Sequence, residues 1–314
     1  MAGMSVIIPT YNRSFSLRRT IPYYLGIDGV SEIIIVDDAS TDNTESYVSQ
    51  LGTARREVVY VRHSMRRGPS VARNTGLDHV SKESDYILFG EDDVILPGNY
   101  CLELLKKMKT YSSDIAGGRS LEMREDESFE DCIRRHDQEL SEIRTHGQHM
   151  PLINRELMTG NFCLDTVQPT MFLHSCSLFR RAVLDKIRFD ENYRFNYFRE
   201  ETDIYVQASM KGFRILYAGD CILFHLRYMH GTRGGCHEYG PALPPRAYKF
   251  LDTVGLPGII YTILNNRYFL NKYYGYFRGV CGYTHSKEHY ERVFAVHMLQ
   301  GKLKEITGLL RAKN

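Results

Sequence analysis

The stretch Tyr86-Ile-Leu-Phe-Gly-Glu91-Asp92-Asp93-Val94 ends a short apolar run in three adjacent carboxylates. The run is typical of a buried strand, which places the acids at the carboxyl edge of a sheet. Ligands of open α/β sheets bind at that edge. Adjacent acids repel one another, and a divalent cation relieves the repulsion. Taken alone the stretch would be read as a solvated acidic turn, so its interpretation depends on the rest of the chain.

The first 120 residues alternate between apolar runs and amphipathic segments. The apolar runs predict strands at Ser5–Ile8, Glu32–Val36, Val58–Val61, Tyr86–Phe89 and Ile115–Gly117. Strands separated by helices of about 10–15 residues indicate βαβ units. We therefore predict an α/β fold whose Rossmann-like, mostly parallel sheet is flanked by helices.

The second half of the chain is less regular. Between residues 121 and 168 charged residues are mixed with few apolar anchors, so we predict irregular helix and loop. Regular patterning returns at Met171–Phe179. A helix is then predicted from Glu201 to Lys211, followed by strands at Arg214–Tyr217 and Cys221–Leu226. Glycines at 231–235, with Arg227 and Arg233 beside them, predict a mobile loop within 228–240 that closes as a lid over a diphosphate.

From about Pro241 the sequence is aromatic and predicted to be helical. Its last segment carries an apolar stripe at three- and four-residue spacing, formed by Val296, Leu299, Leu303, Ile306 and Leu310. We interpret the stripe as a docking face. Basic residues nearby keep a peripheral membrane contact through this C-terminal region as the alternative.

Composition narrows the class of protein. The chain has 314 residues, 25% charged and 43% hydrophobic, which is ordinary for a globular protein. A net charge of +2 does not favour nucleic acid as a partner. Seven scattered cysteines without a C-x-x-C pair argue against a disulfide framework or zinc site. With no signal peptide and no apolar run of about 18 residues, we expect a cytoplasmic location, with the membrane surface as the alternative.

Four polar segments should meet at one sheet edge, because each follows a predicted strand. They are Pro9–Arg13, Asp37-Asp38, Val71–Asn74 and Glu91–Asp93. An acid among them can accept the N–H of a uracil-like base, and an arginine can bind a phosphate oxygen with two donors. A metal held by Asp93 can neutralise a diphosphate. These chemistries together predict a site for a nucleoside diphosphate.

Three motifs make this pattern specific: Ser5-Val-Ile-Ile-Pro-Thr-Tyr-Asn-Arg13, Ile34-Ile-Val-Asp-Asp-Ala-Ser-Thr-Asp42 and Gly68-Pro-Ser-Val-Ala-Arg-Asn-Thr-Gly76. With the acidic strand end at Glu91–Asp93, they resemble the family 2 glycosyltransferases over roughly residues 4–226. The resemblance implies the glycosyltransferase-A fold, a nucleotide-sugar donor, a Mn²⁺ or Mg²⁺ cofactor and inversion at the anomeric carbon. It also implies a glycan, lipid-linked or protein acceptor.

The resemblance divides the chain into a catalytic domain, 1–226, and a flexible loop with a helical C-terminal region, 227–314. Within the catalytic domain, 1–120 is expected to be the nucleotide-binding half and 121–226 the acceptor half. The donor sugar, the acceptor, the linkage and the oligomeric state are left open by the sequence.

The resemblance also implies roles for five nucleotide-binding residues. Asp38 should contact the base, Thr10 and Tyr11 should line the nucleoside pocket, Arg73 should face the nucleotide, and Asp92 should approach the ribose. Structural alternatives remain for most of them. Asp38 can form an Asx-turn, Arg73 can be a solvated helix residue, and Thr10 and Tyr11 can act through backbone and shape alone.

Metal ligation is implied for Asp93 and for His225. The family's acidic motif usually opens with aspartate, whereas this chain has Glu91, so Glu91 is left outside the expected metal shell. His225 ends the apolar run Cys221-Ile-Leu-Phe-His, where relatives of this fold often have a histidine ligand. Imidazole and carboxylate together suit Mn²⁺. The alternative is a packed or capping histidine.

The catalytic base is expected from Arg199-Glu200-Glu201-Thr202-Asp203-Ile204, which resembles the family's Glu-Asp-x-Asp-Leu segment. Glu201 occupies the base position and would take a proton from the acceptor hydroxyl. Asp203 is expected to hold the loop or the acceptor. The alternative is that these acids only favour the start of a helix.

Two other functions remain open at this stage. A sugar-1-phosphate nucleotidyltransferase would also be an α/β protein with nucleotide and metal, but it carries a glycine-rich loop where this chain has Pro9–Arg13. A non-catalytic nucleotide-sugar-binding protein is the second alternative, because glutamates 91 and 201 replace the usual aspartates.

Overall fold

The computed structural model describes residues 3–55, 57–145, 153–154, 159–160, 164–173, 176–195, 197–226, 256–280, 283–296 and 298–299. The predicted lid at 228–240 lies outside these residues. So does the end of the predicted apolar stripe, from Leu303 onward.

A nine-stranded mixed sheet forms the centre of the molecule. Its strands are β1 (Gly3–Thr10), β2 (Val30–Asp37), β3 (Val58–Arg62), β4 (Ser84–Phe89), β5 (Val94–Ile95), β6 (Ile115–Glu122), β9 (Val167–Thr170), β10 (Ser177–Arg180) and β11 (Ile215–His225). Two further strands, β7 (Ile153–Asn154) and β8 (Thr159–Gly160), pair with each other. The main sheet has the order β3-β2-β1-β4-β10-β6-β11-β5, and β9 also pairs with β11.

Parallel pairing dominates the half of the sheet that comes first in the chain. β1 lies between β2 and β4, and all three run in the same direction, as do β2 and β3. β10 runs antiparallel between β4 and β6, and β11 returns parallel to β6. The carboxyl ends of β1, β2, β3 and β4 therefore face one edge, and the four polar segments expected to converge follow those ends. β11 ends at the same edge with His225.

Helices cover both faces of the sheet. They are α1 (Ser14–Leu25), α2 (Thr44–Ala54), α3 (Pro69–His79), α4 (Tyr100–Thr110), α5 (Phe129–Thr145), α6 (Arg181–Leu184), α7 (Glu200–Met210) and α8 (Leu256–Val280). Alternate residues of β1 serve opposite faces, because Ile7 belongs to one apolar cluster and Val6 and Ile8 to the other. A strand buried on both faces is what a parallel sheet requires.

Within 121–168, where irregular helix and loop were predicted, the structure has the helix α5, which is regular over 17 residues. Only Cys132, His136 and Leu140 are buried on it. They are four residues apart, so one narrow stripe anchors the helix. The two strands predicted near 214–226 are one strand, β11, whose pairing shifts register between Ala218 and Ile222. A bulge of this kind interrupts the pattern without ending the strand.

A helical C-terminal region is present, as expected. Residues 287–296 are also helical. Phe294 of this helix and Met298 just after it form a small apolar cluster with Ile259 of α8. Within the described part of the chain, no helix combines the length and apolar character that crossing a bilayer requires.

Candidate active site

The ends of β1, β2 and β4 bring the first polar residues together. Thr10 pairs in register with Asp37 across the parallel strands. The backbone N–H of Asp38 donates to the Thr10 carbonyl at 2.9 Å, and the Thr10 hydroxyl donates to Asp92 Oδ2 at 2.8 Å. Asp38, Thr10 and Asp92 are therefore connected by two hydrogen bonds across three neighbouring strand ends.

Helix α1 supports the acidic turn after β4 with hydroxyl groups. Ser16 Oγ and Thr20 Oγ1 both donate to the carbonyl of Asp92, at 2.6 and 3.1 Å. Tyr24 Oη donates to the Glu91 carbonyl and accepts from the Glu91 N–H, each at 3.0 Å. The three hydroxyl residues are four positions apart, so they lie on one buried face of the helix. They fix the backbone of the turn without using its carboxylates.

Arg13 lies directly against the acidic turn. Its Nη1 donates to Asp92 Oδ1 at 2.9 Å and to Asp93 Oδ2 at 2.6 Å. Burial raises the pKa of Asp92 to about 6, although Arg13 opposes the rise. No role was predicted for Arg13 from the sequence, although it ends the motif Ser5–Arg13. Its position just after the first strand was the available signal, because that position leads directly to the acidic edge.

Glu91, Asp93 and His225 form a group that could hold a metal ion. One candidate ligand atom from each lies within 4.8 Å of the others. Antiparallel pairing of β5 with β11 sets His225 opposite Val94, and His225 Nε2 lies 3.5 Å from Asp93 Oδ2. Asp93 and His225 are brought together as the sequence predicted, and the structure adds Glu91 to them.

Asp38 holds the segment between β3 and α3. Its Oδ1 lies 2.8 Å from His63 Nδ1 and accepts from the Arg67 N–H at 2.8 Å, and its Oδ2 accepts from the Gly68 N–H at 2.7 Å. These partners are distant in sequence, so they do not form a local Asx-turn. The neighbouring Asp37 makes a local contact instead, because its Oδ1 accepts from the Ser40 N–H, three residues on, at 2.8 Å.

Tyr11 lies beside this segment. The guanidinium carbon of Arg66 is 4.2 Å from the centre of its ring, which is a cation–π contact. A planar aromatic ring and a planar cation next to Asp38 offer surfaces against which a flat base could pack.

Arg73 is buried, and its contacts are with carboxylates of α7. Nη1 bonds to Glu200, Nη2 donates to Glu201 Oε1 at 2.6 Å, and Glu91 Oε1 lies 3.9 Å from Nη2. The side chain of Arg73 is only 4% exposed, so it is not a solvated helix residue. It links the acidic turn to the segment in which the base was predicted.

Glu200 and Glu201 begin α7 but differ in access. The Glu200 side chain is 7% exposed, whereas that of Glu201 is 32% exposed. Burial raises the pKa of Glu201 above its ordinary value; Arg73 opposes the rise and Glu200 adds to it. A raised pKa brings a carboxylate closer to the range in which it can exchange a proton near neutral pH. Of the two, Glu201 is the more open to solvent.

Taken together, the fold and this edge define an α/β protein with an acidic site at the carboxyl ends of its strands, where the ligand atoms of two carboxylates and an imidazole converge. The model of the family described as "Glycosyl transferase family 2" matches residues 5–188, more than half of the chain. The chain belongs to that family. The resemblance noted from the sequence is thereby confirmed.

Two relatives show how far the similarity extends. The succinoglycan biosynthesis protein ExoW of Rhizobium meliloti is 26% identical over 203 residues, covering 60% of this chain and 59% of its own. The GalNAc(5)-diNAcBac-PP-undecaprenol beta-1,3-glucosyltransferase of Campylobacter jejuni is 27% identical over 221 residues, covering 68% and 64%. The chain thus spans less than two thirds of the length of either relative.

Solved structures share the fold. Staphylococcus aureus TarS, residues 1–349, superposes with a TM-score of 0.51 at 16% identity, covering 96% of this chain and 81% of that one. GalNAc-T7 with UDP, GalNAc and Mn²⁺ superposes with a TM-score of 0.55 at 13% identity, covering 72% and 44%. The predicted glycosyltransferase-A fold is therefore confirmed.

Proposed function

We propose that this protein is a metal-dependent, inverting glycosyltransferase that moves a sugar from a nucleoside diphosphate sugar to an acceptor hydroxyl. UDP is the expected nucleotide. The observation that carries the proposal is the approach of Glu201 to the acidic turn through Arg73, which contacts both Glu201 and Glu91. A candidate base and a candidate metal group thus lie at one sheet edge.

The donor is proposed to lie along the ends of β1 and β2. Asp38 would accept the N–H of the base, because a carboxylate can accept about four hydrogen bonds and three are described. Thr10 and Tyr11 would line the nucleoside pocket, and Asp92 would approach the ribose. Arg73 would border the nucleotide, and its contacts favour a second role in holding Glu201.

The residues present suit a divalent cation. Asp93 and His225 would hold it, with Glu91 as a third candidate ligand, because their ligand atoms converge and their oxygen and imidazole donors suit Mn²⁺. A bound Mn²⁺ or Mg²⁺ supplies positive charge that offsets the negative charge of a diphosphate. Asp93→Ala should abolish cation-dependent UDP binding in calorimetry, while Asp220→Ala, at an exposed carboxylate, leaves it unchanged.

Glu201 is proposed as the general base. It would take the proton of the acceptor hydroxyl while that oxygen forms a bond to the anomeric carbon and the bond to the nucleoside diphosphate breaks on the opposite face. Glu201→Gln should lower turnover about 10²–10⁴-fold and leave the UDP affinity unchanged. Glu103→Gln on α4 is the matched control. Full turnover by Glu201→Gln would remove this assignment.

The acceptor is proposed to be a glycan, with lipid-linked acceptors tested first and protein acceptors second. The Campylobacter jejuni relative is named for transfer to an undecaprenol-linked saccharide. If this chain acts similarly, it works at a membrane surface, and its C-terminal region would be the part that docks there.

The test is a panel of UDP-, GDP- and dTDP-sugars with Mn²⁺. A donor that raises the melting temperature is then incubated with acceptors, and glycoside and nucleoside diphosphate are measured. Equal amounts of both support the transferase. In a parallel assay with a sugar-1-phosphate and a nucleoside triphosphate, formation of the nucleotide sugar with release of pyrophosphate from the triphosphate would instead indicate the nucleotidyltransferase. Binding without turnover in either assay would indicate the non-catalytic protein.

A further inference from the structure

Polar side chains of helix α8 contact the segment 190–203, which leads into the proposed catalytic helix α7. Asn265 binds the backbone of Arg194 twice, accepting from its N–H at 3.2 Å and donating to its carbonyl at 2.9 Å. Arg199 Nε donates to Asn266 Oδ1 at 3.1 Å. Lys272 Nζ bonds to Asp203 Oδ2 at 2.8 Å. These contacts lie on both sides of Glu201.

Lys272 and Asp203 belong to one network, in which the Asp203 side chain is buried and the Lys272 side chain is 31% exposed. Asp203 is 0% exposed, and its Oδ2 also accepts from Tyr193 Oη at 2.9 Å. Lys272 reaches Asp190 Oδ2 at 2.7 Å as well, so one ammonium group joins two points of the segment. A buried carboxylate without its cation is costly. The network therefore fixes the first turn of α7 relative to α8.

The backbone of the segment needs this support. Phe195, Tyr197 and Arg199 all have positive φ, at 59°, 53° and 76°. Residues other than glycine disfavour this left-handed backbone conformation. They keep it only where the surrounding structure holds them in place. Phe195 stacks on Tyr261 of α8 with ring centres 3.6 Å apart. Arg199 lies over Phe269 of the same helix, at 5.3 Å.

We propose that α8 positions the catalytic base, with Lys272 and Asn266 as positioning residues that act on Glu201 through Asp203 and Arg199. Arg199 precedes α7, and its carbonyl accepts from the Asp203 N–H at 2.8 Å, so the two contacts hold one helical turn. This inference rests on the proposed role of Glu201. Both α8 and Glu201 lie beyond residues 5–188, where the family model matches.

The test compares Lys272→Met with Arg267→Met in the full chain, using the UDP-sugar with the highest rate in the panel. Arg267 is on the same helix and largely exposed. Displacement of a reacting group by about 1 Å can cost up to about 100-fold. We expect Lys272→Met to lower kcat at least about tenfold with UDP affinity within about twofold, and Lys272→Arg to recover part of the loss. Arg267→Met should match the unmodified protein.

The double variant Lys272→Met/Glu201→Gln distinguishes positioning of Glu201 by Lys272 from a purely stabilising role of Lys272. If Lys272 acts through Glu201, the second change adds little to the loss from Glu201→Gln. A multiplicative loss, or an unchanged kcat in Lys272→Met, would overturn the inference. If Lys272→Met does not fold, Asn266→Ala is compared in the same way, because it leaves the ion pairs intact.

Different results would overturn the role of Glu201 as base and the role of Lys272 as positioning residue. Full turnover in Glu201→Gln would overturn the base assignment and with it this inference. A large loss in Glu201→Gln together with an unaffected Lys272→Met would overturn the positioning role alone.

Discussion

Arg73 Nη2 donates a 2.6 Å hydrogen bond to Glu201 Oε1, although 128 residues separate the two in the chain. The other terminal nitrogen of the guanidinium, Nη1, donates to Glu200 Oε1. Arg73 belongs to α3 and both glutamates begin α7. Two hydrogen bonds from one guanidinium to neighbouring carboxylates, rather than chain connectivity, therefore set the distance between the proposed base and the first half of the sheet.

Replacement of Arg73 should strongly destabilise the folded protein. Arg73→Met leaves the buried Glu200 carboxylate without its cation, so we expect the free energy of unfolding to fall by about 3–5 kcal/mol. Urea unfolding followed by circular dichroism measures it. The control is Arg134→Met, which removes an exposed ion pair and should change stability by less than about 0.5 kcal/mol. Equal small effects in both variants would contradict the prediction.

The support of the acidic turn by Tyr24 can be tested by removing one oxygen. In Tyr24→Phe the N–H and carbonyl of Glu91 both lose their hydroxyl partner, which should cost about 1–3 kcal/mol. We also expect weaker Mn²⁺ binding by calorimetry, because Glu91 and Asp93 lie on this turn. Tyr23→Phe, at the exposed neighbouring position, should leave both quantities unchanged. Identical behaviour of the two variants would show that the hydroxyl does not support the turn.

Gly68 is predicted to tolerate no side chain. Its φ is +94°, and an added Cβ would lie 2.3 Å from the Tyr197 ring. Gly212 also has a positive φ, +82°, but open space around it. Gly212→Ala should therefore cost only the backbone strain of about 1–2 kcal/mol. Gly68→Ala should cost more and also weaken UDP binding, since Gly68 donates to Asp38. Thermal unfolding of both variants measures the two losses of stability. Equal losses would argue against the predicted clash between the new Cβ and the Tyr197 ring.

The contact of Glu127 with Arg135 should make stability depend on pH. Two hydrogen bonds from Arg135 hold the pKa of Glu127 at about 2, below its ordinary value of about 4.5. A carboxylate whose pKa is lower in the folded than in the unfolded protein stabilises the fold at pH values above its unfolded-state pKa. This contribution is lost as the pH falls towards its folded-state pKa. Glu127→Gln should therefore lower stability by about 1 kcal/mol at pH 7, and by less at pH 3.5. A difference independent of pH would contradict this.

The strand ends were predictable because short β-branched and apolar runs stop abruptly at polar motifs. Thr10, Asp92, Asp93 and His225 meet as expected, since parallel strands deliver their following residues to one edge. The partners of Arg73 were not predictable from spacing. They depend on how α7 packs against α3, and sequence alone does not give that register.

The regular course of α5 was not predicted, because its buried stripe is only a cysteine, a histidine and a leucine among mostly charged residues. The place of Glu91 was missed for a different reason. It was judged from the residue type a motif usually has, whereas the backbone of the turn decides where its carboxylate lies. In both cases local pattern was weak, and tertiary contacts determined the outcome.

The row of hydroxyls on α1 has a consequence for the conditions under which the site keeps its shape. Hydrogen bonds from Ser16, Thr20 and Tyr24 to backbone carbonyls join groups without net charge. Dissolved salt screens interactions between exposed charges but has little effect on buried neutral contacts. The loop that carries Glu91 and Asp93 should therefore keep its geometry at ionic strengths that weaken surface ion pairs.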